Sequence, residues 1–534
     1  MVTHLATMLR RWVTTLPAAL VLLPGEAPAD DDFRVLPYLQ NPSTTAMTLL
    51  WFSEEEIPGR LTFRPVSSSS SSPRVVVSVP ERAVSLAYLA WEEEAFFSGP
   101  APAPPYRHRV RLEGLDAGAS YSYTVEQGSS RFSSRFTTVP AADQPVRLIF
   151  FADCETEPES TGSHVEWRDP TGRDPGRTYL LDQTDGFAAN LKVVAQRQPD
   201  LVAIAGDLVE SGGEQRDWDE FWLHLTRPDS GIGLASRVPV IAAPGNHEYN
   251  ESPKTEGYNQ PGSERAMRRY LTYFEYPSNG SGSGQEGRYY SLDYGPVTIV
   301  ALDVANDSPH QSERDTNFFL LGEGDPNGGR APAFGPGSRQ YEWLRNALER
   351  AQSRSEFTFV IFHHVPYSVG PHGWPPGEGD GADTQSGVPV RSLTPLFLRY
   401  GVDAIIAGHD ELWERSEIDG VEILPGGGER AHTLHVYDVG IAGDGLRGPE
   451  GGLTNPQQKF LVHTDAPEQW RNGVLVEGGK HYGHLEVDVY PLEDGGWQAE
   501  LRPVHVFPLF ESPSRYVRSE RRLYDDVQIL TRRQ

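Results

Sequence analysis

The sequence predicts an α/β fold preceded by an all-β sandwich, and three observations carry that prediction. Near-continuous apolar runs from Val146 onward alternate with helical patterns, as in strands buried on both faces. Ahead of them, residues from about Phe33 to Pro140 show the two-residue period of half-buried strands. The chain has 534 residues, more than one compact core usually covers, so two or more domains are expected.

Taken from the amino terminus, residues 1–29 read as a signal peptide. Arg10 and Arg11 form a basic start, Trp12 to Leu23 is mostly apolar, and Ala27-Pro28-Ala29 offers a small-residue cleavage site. The run is too short to span a bilayer, which predicts a secreted or periplasmic protein with no transmembrane segment. Cys154 is the only cysteine, so no intramolecular disulfide can form. A formal net charge of −27 argues against nucleic-acid binding and means that an anionic ligand must be drawn by a local positive site. Oligomeric state is not legible.

The segment 30–140 is the sandwich. Met47-Thr48-Leu49-Leu50-Trp51 and Tyr106 to Leu112 alternate, and the Gly-punctuated turn Leu112 to Tyr123 precedes a Tyr-bearing strand. With Trp51, this resembles a fibronectin type III domain and its tyrosine corner. The six-serine run Ser67 to Ser72 reads as a surface loop.

The segment 141–534 is the α/β part. Its apolar strands are Val146 to Phe151, Leu201 to Ala205, Val238 to Ala242, Phe357 to Phe362 and Val402 to Ile406. Helical patterns cover Gly186 to Gln198 and Ser338 to Ser353, and the Gly/Pro-rich stretches Leu321 to Ser338 and Gly370 to Pro389 are loops, either rimming a site or ordinary surface loops.

Each of these strands is followed directly by residues able to bind metal. Asp153 follows the first, Gly206-Asp207-Leu208-Val209-Glu210 the second, and Gly245-Asn246-His247-Glu248 the third. His363-His364 follows the fourth and Gly408-His409-Asp410-Glu411 the fifth. Singly, each is an ordinary turn or polar loop. In this order they should converge, because ligand sites in open α/β sheets collect at the carboxyl ends of strands. The donor mixture of carboxylate, amide and imidazole suits one or two first-row cations.

With these motifs in this order the chain resembles the calcineurin-like metallophosphoesterases, and within them the purple acid phosphatases. The resemblance extends to Arg135-Phe136-Thr137-Thr138-Val139-Pro140, the hairpin Tyr289 to Val297, Gln340 to Leu344 and the late strand Tyr482 to Val487. It implies a four-layer αββα sandwich holding two metal ions. By resemblance, Asp153 binds the first metal, Asp207 bridges both, and Asn246, His363 and His409 bind the second. His247 stands by the leaving-group oxygen. His364 is either a group behind the ligands or a substrate contact, and Glu248 either orients His247 or is a solvated loop carboxylate.

Three positions depart from the family, and all fall around the first metal. Glu210 stands where the purple enzymes have tyrosine, Glu155 where relatives often have His, and Glu411 where the last motif usually repeats His. Glu411 is expected as a ligand, whereas Glu155 and Glu210 are each either ligands or exposed carboxylates. The family metals are Fe, Zn or Mn, and an all-oxygen first site suits Mn, Mg, Ca or Fe. Cys154 reads as a buried packing residue rather than a thiolate ligand.

The function implied is that of an acid phosphatase-like hydrolase of phosphate esters. Two cations about 3.5–4 Å apart supply hydroxide at neutral pH and clamp phosphoryl oxygens, while His247 serves the leaving group. A phosphomonoesterase is the first reading. A phosphodiesterase acting on nucleotides or phospholipids, and a non-catalytic metal- or phosphate-binding relative, are the alternatives.

Overall fold

The computed structural model describes residues 32–67, 72–160, 164–167, 177–228, 232–252, 260–282, 284–305, 332–375, 378, 385–444, 446–512 and 515–532. The expected signal peptide, most of the serine run and most of the loop from Leu321 to Ser338 lie outside them.

The amino-terminal part forms two four-stranded sheets. One runs Phe33–Gln40, Ala46–Ser53, Tyr106–Glu113, Glu81–Arg82, and the other Arg74–Val77, Arg60–Pro65, Ser120–Gln127, Ser130–Thr137. Alternation does what the sequence predicts: Tyr121, Tyr123 and Val125 point inward while their neighbours face out. They meet Trp51, Leu61 and Phe136 in one apolar cluster. The Tyr121 hydroxyl accepts the Asp116 backbone N–H at 3.0 Å, closing the corner expected there.

The following part holds two seven-stranded sheets. In the first, Val240–Ala242, Leu201–Ile204 and Val146–Phe151 run parallel, and Gly483–Pro491 and Trp497–Ser512 extend them antiparallel. In the second, Val297–Ala301, Phe357–His364, Ala404–Gly408 and Glu429–Val439 run parallel. The two sheets face each other through one core that includes Phe150 and Ile204 from the first and Phe359 and Ile406 from the second. The Phe150 and Phe359 rings cross this interface edge to face at 5.9 Å.

Helices cover the outer faces. The helix Gln183–Gln196 sets Ala189 and Val193 on Val504 and Val506 of the first sheet. Arg339–Arg354 and Thr394–Arg399 pack Leu344, Leu348 and Phe397 on Val360, Phe362 and Ile405 of the second. The result is the four-layer αββα sandwich. Helix ends differ by a few residues from the periodicity reading, with Ser338 outside the helix as its cap, accepting the Tyr341 N–H at 3.2 Å. Each fully buried Leu, Ile or Phe contributes about 1.5–3 kcal/mol, so the double-sheet core dominates the stability and fixes where the strand ends meet.

Candidate metal centre

The five strand-end motifs converge between the sheets. Glycines allow the approach. A Cβ on Gly206 would lie 2.6 Å from the His363 Cβ, one on Gly245 2.1 Å from the Asp207 Oδ1, and one on Gly408 2.0 Å from the Asp153 Oδ2. The donor residues themselves take left-handed backbone conformations: Asp153 at φ 57°, Asp207 at 51°, His409 at 83° and Glu411 at 49°. Such conformations cost about 1–3 kcal/mol each and collect at functional sites.

Carboxylates of Asp153 and Asp207 are tied to backbone. Both Asp153 oxygens accept the His409 N–H, at 3.0 and 3.1 Å, and Asp207 Oδ1 accepts the His247 N–H at 2.9 Å. Backbone carbonyls fix three imidazoles. His363 Nδ1 donates to Ala205 O at 2.9 Å, His409 Nε2 to Gln385 O at 2.7 Å and His247 Nδ1 to Glu210 O at 2.6 Å. In neutral His363 and His409 the remaining ring nitrogen is thereby left as a lone pair, the arrangement that metal-ligating histidines adopt.

The residues fit a cation. His363 Nε2 lies 2.7 Å from Asp207 Oδ2 with both groups buried, an approach that in the neutral ring carries no proton, and Asn246 Oδ1 is buried without any hydrogen-bond partner. A lone pair facing a carboxylate in a dry interior is repulsive unless a proton or a metal lies between them. Without metal, a proton takes that place. Burial opposes charge on His363, but Asp207 and Asp153 overcome it and lift its pKa to about 9. Burial likewise pushes Asp207 up, and the charges of His363 and His247 pull it down to about 2. Asp153 is raised by burial to about 7. Burial and neighbouring imidazoles hold His364 and His409 well below the usual imidazole range, hence neutral. Burial also lowers His247, but Asp207 and Glu210 reverse the sign and raise it.

Donor atoms group in two halves. Asp207, His363 and His409 bring one ligand atom each within 4.8 Å of one another, and so do Asp153, Glu155 and Asp207. Asp207 is common to both. Glu155 also groups with Glu210 and His247, and with Glu411 and Asp444. Glu155 and Glu411 are buried, burial pushes both carboxyls well up, and the Glu411 Oε2 has no hydrogen-bond partner. Neither Glu155 nor Glu210 is an exposed loop carboxylate.

The histidines flanking this cluster differ in access. The His247 side chain is 19% exposed, with Nε2 3.9 Å from Asp207 Oδ2. His364 is wholly buried, its ring 5.4 Å from that of His363 and 4.2 Å from that of His409. Cys154 is buried in the apolar core, where desolvation pushes its thiol well up, as expected of a packing residue.

Sequence reasoning missed three parts. Glu248 neither orients His247 nor faces solvent: its carboxylate accepts the backbone N–H groups of Asp207, Leu208 and Gly245 at 3.0, 2.8 and 2.7 Å. His372, from the expected rim loop, stacks on His409 at 3.8 Å. Asp444 and Arg447 follow a sixth strand, Glu429–Val439, and the only local signal is the glycine-punctuated acid in Gly440 to Asp444.

Four layers with an oxygen- and imidazole-lined cluster at the parallel strand ends define the metallophosphoesterase class of fold. Residues 147–410 match the calcineurin-like phosphoesterase family model. An uncharacterized protein of Mycobacterium tuberculosis is 25% identical over 353 residues, covering 65% of this chain and 57% of its own. The chain thus spans little more than half of that relative. Purple acid phosphatase 22 of Arabidopsis thaliana is 22% identical over 58% of this chain and 53% of its own, and the plant's "probable inactive purple acid phosphatase 27" is 25% identical over 59% and 44%. Among solved structures, a purple acid phosphatase from yellow lupin seeds superposes with TM-score 0.55 at 16% identity, over 88% of this chain and 71% of its own. PhoD superposes with TM-score 0.54 at 13% identity, over 95% and 93%. Both likenesses concern the fold.

Proposed function

We propose that this chain hydrolyses phosphate monoesters with two metal ions bound at the strand ends. The carrying observation is the buried His363–Asp207 approach at 2.7 Å, in a ring whose other nitrogen is already committed to Ala205. Asp207 would bridge the ions, with Asn246, His363 and His409 on the second and Asp153, Glu411, Glu155 and Glu210 supplying oxygen to the first. When bound, such ions stabilise phosphoryl oxygens as Lewis acids and activate water. His247, held by its backbone N–H on Asp207 and its Nδ1 on Glu210, presents Nε2 where a departing alkoxide takes a proton. His364, wholly buried against the other imidazoles, is assigned to supporting His409 rather than to touching substrate.

The reading extends to the chain as a whole. Residues 1–29 would direct export to the periplasm or the exterior, 30–140 form the sandwich and 141–534 the catalytic part. Among the described residues no helix is long and apolar enough to cross a membrane.

Assaying a chromogenic monoester beside its bis-ester, after chelation and restoration with Mn, Zn or Fe, tests the reading. Monoester turnover should dominate, and Asn246→Ala or His247→Ala should lower kcat by about 10²–10³. Near-normal kcat in both variants would place the active site elsewhere, and preference for the bis-ester would make the chain a phosphodiesterase. Stoichiometric metal with no turnover of either ester would favour a non-catalytic relative, the reading suggested by the altered first site.

A further inference from the structure

We propose that Arg447 is the phosphate-binding arginine of this centre, its guanidinium held on Glu411 so that the free part of the fork meets a phosphoryl oxygen of the substrate. The inference rests on the phosphoesterase reading above. Arg447 Nη2 lies 2.5 Å from Glu411 Oε1, and the Arg447 backbone N–H donates to the Glu411 carbonyl at 2.9 Å. On the other side, the buried Lys480 ammonium donates to the carbonyls of Leu446 and Arg447, the latter at 3.4 Å. The backbone is therefore fixed from two directions.

Burial is divided sharply across the pair. Glu411 keeps 4% of its side chain exposed and Arg447 keeps 49%. A half-exposed ion pair contributes about 0–1 kcal/mol to stability, so folding alone gives little reason for the residue. Glu411 Oε1 is used by Arg447 while Oε2 has no hydrogen-bond partner and remains for a cation. One carboxylate then couples the metal to the guanidinium and sets the two at a fixed separation.

Charge supplies the need. Asp153, Glu155, Asp207, Glu210, Glu411 and Asp444 stand together in a chain of net charge −27, and two cations offset only part of that. A dianionic ester approaching this rim gains from a positive group that is not itself neutralised by full burial. Arg447 acts electrostatically on Glu411, Glu155 and Asp444 in the carboxylate half of the centre and on Asp410 and His372 beside it. A guanidinium takes two oxygens of one phosphate in a planar fork. A monoester offers more charged oxygen to that fork than a diester does, so the residue favours monoesters.

The experiment compares wild type with Arg447→Met and Arg447→Lys in the metal-loaded full chain. Readouts are KM and kcat on a chromogenic monoester and its bis-ester, inorganic phosphate binding by calorimetry, and bound metal per chain. Hydrogen bonds to charged groups predict a rise of about 10- to 100-fold in monoester KM and in the phosphate dissociation constant for Arg447→Met. Metal content should hold, the bis-ester should be affected less, and Arg447→Lys should recover part of the loss. Unchanged KM and phosphate affinity in Arg447→Met would overturn the proposal. Loss of metal with unchanged KM would also overturn it, by assigning Arg447 to holding Glu411. If wild type turns over neither ester, the functional reading fails, and phosphate affinity that still falls in Arg447→Met would keep the anion site standing alone.

Discussion

Glu248 gathers the backbone N–H groups of Asp207, Leu208 and Gly245 on one buried carboxylate, joining the loops after the second and third strands. Replacing it by Ala leaves those donors buried without a partner, at about 1–3 kcal/mol for each unsatisfied group. Partial relaxation brings the expected loss for Glu248→Ala to about 3–5 kcal/mol, with weaker metal binding because Asp207 loses its anchor. Urea unfolding and metal titration check this, and a loss below about 1 kcal/mol would show the loops to be held by other contacts. Glu411 carries a second prediction at this scale. Carboxylate is a hard donor and imidazole a borderline one, so wild type should place a hard ion such as Mn²⁺ in the first site, and Glu411→His should shift that site towards Zn²⁺. Chelator stripping followed by restoration with single and paired metals reads this as bound stoichiometry. Unchanged preference in the variant would remove Glu411 from the ligand set.

At the scale of elements, the site is a set of strand ends, three of which carry a glycine at or just after the strand: Gly206, Gly245 and Gly408. Gly408 lets the fifth motif reach the first: its added Cβ would meet Asp153 Oδ2 at 2.0 Å and the Ala152 Cβ at 2.5 Å. Gly408→Ala is therefore expected to displace Asp153 and lower kcat by at least about 10²-fold, as for loss of one group of the site. The change should show in bound metal as well as in rate, and a variant that keeps both would mean the strand can shift without cost. Those glycines also explain why the centre was legible in sequence. Strands buried on both faces read as unbroken apolar runs, so the polar residue after each one stands out, as Asp153, Asp207, Asn246, His363 and His409 do. Asp444 escaped because Glu429–Val439 carries Glu, Arg, His and Asp within it and does not read as an apolar run. The hydrogen bonds of Glu248 escaped for a different reason: they depend on how a turn after the third strand folds back upon the second, which no local pattern encodes.

At the scale of the molecule, the sandwich is joined to the α/β part by core rather than by a linker alone. Tyr38 packs on Trp222 at 4.1 Å between centroids and donates to the Tyr273 carbonyl at 2.6 Å, and Phe52 meets the Tyr273 ring at 5.1 Å. Backbone and side-chain bonds reinforce the joint. The Leu39 N–H donates to Ala235 O at 3.0 Å, Gln40 Nε2 to Val240 O at 2.8 Å and the Tyr123 hydroxyl to Ser236 O at 2.8 Å. Val35, Tyr38, Leu50 and Phe52 belong to the same apolar cluster as Trp218, Trp222 and the strands that end at the candidate metal centre. Gln40 in particular bonds Val240–Ala242, the strand leading to Asn246 and His247. Domains that share a core unfold together, whereas domains in polar contact unfold apart. Scanning calorimetry of the metal-loaded chain should therefore give one cooperative transition, coincident by tryptophan fluorescence and far-ultraviolet circular dichroism. Tyr38→Ala, which removes a buried aromatic side chain from the joint, should lower that single transition at a cost of about 3–5 kcal/mol. Two separate transitions in wild type, or a Tyr38→Ala variant that moves only one of them, would show the sandwich to be an independent unit.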